Sequence, residues 1–478
     1  QVLNDPVHGH IEIHPLCIKI IDTPEFQRLR SLKQMGPVYN VYPGASHNRF
    51  EHSIGVCHLA GEMVSRLQKQ QPELGVTDED VLCVKIAGLC HDLGHGPFSH
   101  LFDGTFIRLV APKSNFTHEK ASIKMFEHLI KENTLENDFK EYNLKPEDID
   151  FIKEQIAGPS NEDKTYKGRP NKKYLYEIVA NKRNSVDVDK FDYFARDSYM
   201  LGFKNNFDHN RFLQFCRVNE DENGDQRICI RDKEAENLYE IFHTRKYLHS
   251  RACMHVVAQA IESMIVDALE IADKCKTFTF LGEDNTPRRL SECIDDMVAY
   301  KKLDDTIFQR IMWSTEPELQ GARDLIDRIQ KRQLYICVGT AQRSERLDKE
   351  REKDVPTEIA KLDKTSKLKH ELLTLSRVHY DYCMKDEDPV RYYRFYEKPK
   401  HHDPKDHIIK KCLKLCEDQG PQMLPAHFQV DMIRIFCKAK DQETIEAAES
   451  AFKQWCDDNE VTPETIRGGF RFEKATNG

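Results

Sequence analysis

What the chain lacks narrows its reading first. No apolar run reaches the ~18 residues a membrane-spanning helix needs, so no membrane span and no membrane partner is expected. Its 15 Cys include no Cys-x-x-Cys pair, which speaks against a zinc ribbon or a disulfide scaffold and for a reducing compartment. Positive charge is not in excess. The formal net charge is −9, which argues against charge-driven wrapping of nucleic acid by the whole chain and leaves room only for a local basic groove. No internal repeat is visible. No secretory leader opens the chain, and Gln1 in place of Met reads as a chain without its native N-terminus.

What is present centres on Leu89-Cys90-His91-Asp92-Leu93-Gly94-His95-Gly96-Pro97-Phe98-Ser99-His100. Val81, Leu82, Val84, Ile86, Ala87 and Leu89 have helical spacing and deliver His91 and Asp92 at the last turn. Gly94, Gly96 and Pro97 then stop that helix. Adjacent His and Asp at a helix end can share one ion. The ordinary reading of such a pair, a dipole-favoured histidine beside a local cap, has to be set against the rest of the pattern. His52 lies upstream in Asn48-Arg49-Phe50-Glu51-His52-Ser53, and Asp189 lies downstream in Asp187-Val188-Asp189-Lys190.

Two His and two Asp make a borderline-to-hard donor set, suited to iron, zinc or manganese. His52, His91, Asp92 and Asp189 are therefore the candidate metal ligands. Hydrolysis at phosphorus also needs a proton donor for the leaving oxygen, and His95, His100 and His118 are the candidates, with Asp103 placed to orient His100. Arg49, Lys190 and Arg245 suit phosphate oxygens. Tyr193 and Asp197, one and two turns beyond Asp189, could meet a sugar edge.

Helical patterns are predicted over about Cys17–Leu32, His52–Gln68, the segment capped by Thr77 and Asp80, the segment opening at His118, Tyr174–Val179 and Glu234–Ala272. Residues 158–173 read as a loop and 343–371, dense in charge, as a solvated linker. Ile228–Arg231, Tyr392–Tyr396 and Phe428–Cys437 look like strands, and Asp441–Asp457 like an amphipathic helix. The fold class expected is mainly α: a helical core over 1–371 and a small α+β lobe over 372–478.

The H…HD…D pattern with these flanks resembles the HD-domain phosphohydrolases. From Val2-Leu3-Asn4-Asp5-Pro6 to Gln454-Trp455-Cys456, the chain is similar to the catalytic core of the deoxynucleoside triphosphate (dNTP) triphosphohydrolases that join a SAM domain to an HD domain. The SAM domain is not in this sequence. The resemblance implies cleavage of a dNTP to deoxynucleoside and triphosphate, magnesium bridging the phosphates, nuclear (otherwise cytosolic) localisation, and a homotetramer assembled by GTP or dGTP and a second dNTP.

By position, the resemblance assigns Gln34 and Asp197 to the sugar 3′-hydroxyl, and Arg49, Lys190, Tyr193, Arg245 and His249 to the substrate. His95, His100, Asp103 and His118 fall on the catalytic set. Asp22, Gln27 and Arg30, with Val2 and Asn4 beside them, fall on the guanine-reading site. Val41, Tyr42, Arg211, Arg231, Lys233, Asn237, Arg251 and His255 fall on the second nucleotide site. The family's Tyr-Gln before that last His is Cys253-Met254 here, and the Lys after it is Val256. Gln1 and Ile336 stand where other lysines would meet phosphates, so weaker nucleotide-driven assembly is expected. Cys229 and Cys456 match redox-sensitive cysteines of the family. Two rival readings are an HD phosphodiesterase acting on another nucleotide, and a nucleotide-sensing or single-stranded nucleic-acid-binding protein whose catalysis has weakened.

Overall fold

The structure is a computed structural model, described over residues 1–159, 165–342, 351–381, 386–397, 411–415 and 427–464. It is mainly α, as expected, and divides into two units whose segments alternate along the chain.

The first unit comprises Gln1–Leu248, Lys276–Arg310 and Tyr382–Phe428. Its central element is the helix Arg49–Gln70, started by a capping box between Asn48 and Glu51. Ile54, Cys57, Ala60, Val64 and Leu67 face inward at helical intervals. The helix Asp78–Cys90, capped by Thr77 and Asp80 as predicted, packs along it. The helix Val188–Leu201 lies against the same central helix and carries Asp189, Tyr193 and Asp197. A two-stranded hairpin, Val2–Asp5 with Gly9–Glu12, precedes these helices. The predicted strand near Ile228 is Gln226–Arg231, antiparallel to Cys216–Glu220 around a turn with Gly224 at φ 82°.

Several predicted elements break where chemistry demands it. Cys17–Leu32 is not one helix. Pro15–Ile21 and Pro24–Gln27 are separate helices followed by a 3₁₀ turn, Arg28–Ser31, because Pro24 cannot donate and Thr23 instead caps the second helix at the Phe26 N–H. Tyr174–Val179 is represented by a 3₁₀ turn, Lys173–Glu177. Glu234–Ala272 resolves into Ala235–Leu248, a π-helical turn His249–Cys253, and Val256–Lys274. Of Tyr392–Tyr396 only Phe395–Tyr396 is strand, after the 3₁₀ turn Pro389–Tyr392.

The second unit comprises His249–Cys275, Ile311–Asp381 and Gln429–Gly478. Its sheet runs Pro463–Glu464, Ile336–Gln342, Gln429–Cys437, Leu373–Asp381, all antiparallel. The helix Gln442–Asp458 packs on it through Ala448, Phe452 and Trp455. Full burial of a large apolar side chain such as Phe452 contributes roughly 1.5–3 kcal/mol. Within the segment read as a solvated linker, 343–350 lies outside the described residues, but the rest is structured. Val355 and Ile359, one helical turn apart on Val355–Lys361, are fully buried in this core beside Leu368. A few apolar residues at the right spacing outweigh the surrounding charge. Among the described residues no single helix is long and apolar enough to cross a membrane.

Candidate active site

The helix Asp78–Cys90 stops at its predicted end, with His91 as its C-cap and His91 Nδ1 against the Gly88 carbonyl at 2.8 Å. That contact leaves Nε2 facing away from the helix, buried and without a hydrogen-bond partner. Around it stand Asp92 Oδ1 at 3.3 Å and Asp189 Oδ1 at 3.4 Å. His52, on the neighbouring helix, places Nε2 3.1 Å from Asp189 Oδ1 and 3.5 Å from Asp92 Oδ2. Donor atoms of His52, His91 and Asp189 all lie within 4.8 Å of one another. Asp92 borders them with its other side bonded to the Arg49 guanidinium.

This donor set fits a metal ion. An orphaned imidazole nitrogen in a buried setting lacks only a Lewis acid, and mixed His/Asp donors suit a transition metal. Burial disfavours the His52 cation, yet the bonds to Asp189 and Asp192 outweigh that and push its pKa up to about 10. The carboxylates that favour a proton there favour a metal cation equally. Burial alone would raise the Asp92 carboxyl, but Arg49 beside it holds it well below the usual range.

A second cluster adjoins the first. His95 Nε2 is 3.3 Å from Asp92 Oδ1, and its ring stacks on His118 with centroids 4.1 Å apart. His118 Nδ1 is 2.9 Å from Asp103 Oδ2, whereas His100 Nδ1 is 3.9 Å from Asp103 Oδ1. Asp103 thus orients His118 rather than His100, whose side chain is 72% exposed. Burial works against a charged His118, but the Asp103 bond raises its pKa above the ordinary value. Burial and the nearby Arg49 push His95 far down. One imidazole of the stack is set to hold a proton and the other to be neutral.

The loop between the clusters is held from several sides. Arg28, buried, donates to the carbonyls of Leu93 at 3.2 Å and His95 at 2.5 Å, and Tyr300 donates to the Gly94 carbonyl at 2.8 Å. Phe98 and Ser99 both sit at φ 60°, a costly conformation for residues with side chains.

The HD-domain family signature matches residues 49–197, which contain every candidate metal ligand. The chain is 49% identical over 475 residues to the deoxynucleoside triphosphate triphosphohydrolase SAMHD1 of Homo sapiens, covering 97% of this chain and 74% of that protein. The Danio rerio protein of the same name is 49% identical, with coverage of 97% and 75%. The SAMHD1 homolog of Dictyostelium discoideum is 39% identical over 464 residues, with coverage of 97% and 82%. The chain belongs to the SAMHD1 family.

The family's remaining positions are distributed as follows. Arg245 Nη1 donates to the Tyr193 hydroxyl at 3.2 Å, and Lys190 Nζ reaches Asp187 at 3.1 Å. Asp197 is 2.6 Å from His47 Nε2, a partner the sequence did not suggest. Gln34 Oε1 is buried without a partner. Gln27 Nε2 donates to the Ile21 carbonyl beside Asp22 at 2.7 Å, and Arg30 Nε donates to Gln27 Oε1 at 2.8 Å, so these three gather at one helix end. Val2 and Asn4 lie on the hairpin strand opposite Glu12 and His10.

Val41 and Tyr42 are half-buried, with Tyr42 edge-on to Phe203 at 5.6 Å. Arg211 and Arg231 both stand over the Phe215 ring, Lys233 is exposed, and Asn237 bonds the Asp208 backbone. In the second unit, His249 and Arg251 lie in the π-helical turn that Cys253 ends, and His255 caps the following helix at the Val257 N–H. Ile336 is on the sheet, 41% exposed. Cys229 Sγ is 2.9 Å from Cys412 Sγ, a pairing not read from sequence, and Cys456 is buried in the second unit.

Proposed function

We propose that this chain hydrolyses dNTPs to deoxynucleoside and inorganic triphosphate, using an ion held by His52, His91, Asp92 and Asp189. Iron, zinc or manganese suits that set, with magnesium on the substrate phosphates. When bound, such an ion lowers the pKa of a water and neutralises phosphate charge. The observation that carries the reading is the double role of Asp92. Its Oδ1 is 3.3 Å from both His91 and His95, so the histidine stack that carries the proton donor His118 adjoins the candidate metal centre. The SAMHD1 relatives supply the substrate class.

The chain's own residues then divide the work. Asp103 keeps a proton on His118, and the neutral His95 stacked on it stands between that proton and Asp92. As a water oxygen bonds to the α-phosphorus and the P–O5′ bond breaks, the His118 proton can pass to the departing O5′. Arg49 holds positive charge beside Asp92, and its Nε is fixed by Ser99 Oγ at 2.8 Å. Gln34 Oε1, buried without a partner, is an acceptor for a sugar hydroxyl, with Asp197 and His47 as a second polar pair.

Regulation belongs to the same proposal. Val2, Asn4, Asp22, Gln27 and Arg30 would receive GTP or dGTP. Val41, Tyr42, Arg211, Arg231, Lys233, Asn237, Arg251 and His255 would receive a dNTP, and the two together would assemble a homotetramer. Gln1, Val256 and Ile336 weaken that assembly, since a charge-assisted phosphate contact contributes roughly 1.5–3 kcal/mol.

The deciding experiment incubates the chain with dGTP and magnesium and separates products by ion exchange, beside an Asp189→Ala control. Deoxyguanosine with triphosphate, absent from the control, is the expected result. Pyrophosphate or monophosphate products would favour a phosphodiesterase. No turnover, even with GTP and every dNTP present, would favour nucleotide sensing or nucleic-acid binding.

A further inference from the structure

Behind His52 lies a buried polar network that neither the metal reading nor the proton donors use. Asp192, fully buried, follows Asp189 by three residues on the helix Val188–Leu201. Its Oδ2 is 2.7 Å from His52 Nδ1, and its Oδ1 is 2.7 Å from His8 Nε2. Arg196 clamps both oxygens at 2.9 Å and reaches Asp5 Oδ2 at 2.8 Å. Asp5 Oδ1 accepts the N–H groups of Val7 at 2.8 Å and His8 at 2.9 Å, and so shapes the turn that presents His8. The His8 ring rests against His58 and His209.

The central helix is cut to admit this network. A Cβ on Gly55 would stand 1.9 Å from Asp192 Oδ1, so no larger residue leaves the carboxylate where it is.

We propose that Asp192, backed by His8 and Arg196, is a positioning residue that fixes the tautomer of His52 and ties the metal centre to the Val2–Glu12 hairpin. A hydrogen on His52 Nδ1, donated to Asp192, leaves the Nε2 lone pair for an ion. Without that acceptor the ring is free to take the other tautomer or turn, and Nε2 is lost as a ligand. His8 belongs to the hairpin turn, so hairpin geometry and metal ligation share one carboxylate. Asp5 is the next residue after Asn4, which the proposed function places against a guanine nucleotide. A nucleotide seated on this hairpin would therefore act on the centre through two hydrogen bonds, His8–Asp192 and Asp192–His52. This rests on the reading of His52 as a metal ligand.

The test is Mn²⁺ binding by the purified chain, followed through the electron paramagnetic resonance signal of the free ion. Asp192→Asn should weaken Mn²⁺ binding about 10–100-fold, the range for an outer-shell partner of a ligating histidine. His8→Gln should weaken it in the same direction by less. Leu144→Ala, a buried change in the same unit outside the elements that carry the network, controls for destabilisation and should lower the melting temperature without altering Mn²⁺ affinity. Equal Mn²⁺ affinity in wild type and a folded Asp192→Asn chain overturns the positioning role alone. Weakening in Asp192→Asn but not His8→Gln overturns the tie to the hairpin. A wild-type chain that takes up no Mn²⁺ and, by metal analysis, neither iron nor zinc overturns the metal reading, and this inference with it.

Discussion

Asp305 and Phe98 are 207 residues apart in the sequence, yet the Asp305 carboxylate accepts the Phe98 amide at 2.6 Å. Its other oxygen accepts the Lys33 amide at 2.9 Å. Phe98 is one of two residues at φ 60° in the loop that separates the histidine clusters, and Ser99, the other, is tied to the Lys33 carbonyl and to Arg49. One carboxylate thus holds the strained loop against a second segment that also anchors Arg49.

Asp305→Ala leaves two backbone donors without their acceptor, at a cost of about 1–3 kcal/mol each where they stay dry. The expected outcome is a lower melting temperature and a kcat reduced at least tenfold, with metal content near wild type. Thermal melts, metal analysis and steady-state rates measured together check it. Unchanged kcat in the folded variant would mean the loop keeps its shape without Asp305.

The stacked histidines give a pH prediction. Asp103 raises the His118 pKa, so the protonated donor persists above the pH at which an ordinary histidine discharges. Activity that needs this proton is present below the His118 pKa and falls as pH rises through it. Asp103→Asn removes the charge that raises it, so the alkaline limb of the kcat profile should move to lower pH. A limb that stays in place would assign the proton to another group.

Most of the chemistry was legible because it lies in local motifs. His52, His91 and Asp189 converge because three helices with readable caps and apolar stripes carry them. Asp192, His8, His47 and Asp305 were not legible for the opposite reason. Each acts through a partner 140 or more residues away, and a lone His or Asp has no periodicity to betray such a contact. The breaks in the predicted helices were foreseeable at Pro24, where ring chemistry decides. The π-helical turn at His249–Cys253 carries no proline or glycine, so nothing in its local sequence marks the break. The second unit gathers strands from Ile336–Gln342, Leu373–Asp381 and Gln429–Cys437, a non-local pairing that local composition does not encode.

Gly94 is fixed by close approach rather than by its own backbone angle. A Cβ there would stand 2.1 Å from the Ser122 amide nitrogen and 2.2 Å from the His118 carbonyl oxygen. Both are backbone atoms, so the helix His118–Glu132 must retreat to admit a methyl group. Overpacking of this kind costs about 1–3 kcal/mol or more, and here the retreat also separates His118 from His95. Gly94→Ala should lose activity beyond its loss of stability, shown by a kcat deficit that remains at temperatures where the variant is fully folded. Recovery of wild-type kcat on cooling would reduce its effect to stability alone.

Cys253 offers a gain-of-function test. The resemblance seen in the sequence implies that a tyrosine at this position would pack against the sugar and turn away a 2′-hydroxyl; here a half-buried cysteine ends the π-helical turn. On the proposed function, a thiol there would present less bulk and no ring face to the sugar, so weaker discrimination between ribose and deoxyribose is expected. Cys253→Tyr restores steric exclusion, which is stronger than rejection by a small apolar contact. The expected outcome is a kcat/KM ratio for dGTP over GTP about tenfold or more above wild type, arising mainly from slower GTP turnover. Competition assays with both nucleotides in one reaction measure that ratio directly. If the ratio stays put while both rates change together, Cys253 shapes the turn that bears Arg251 rather than the sugar pocket.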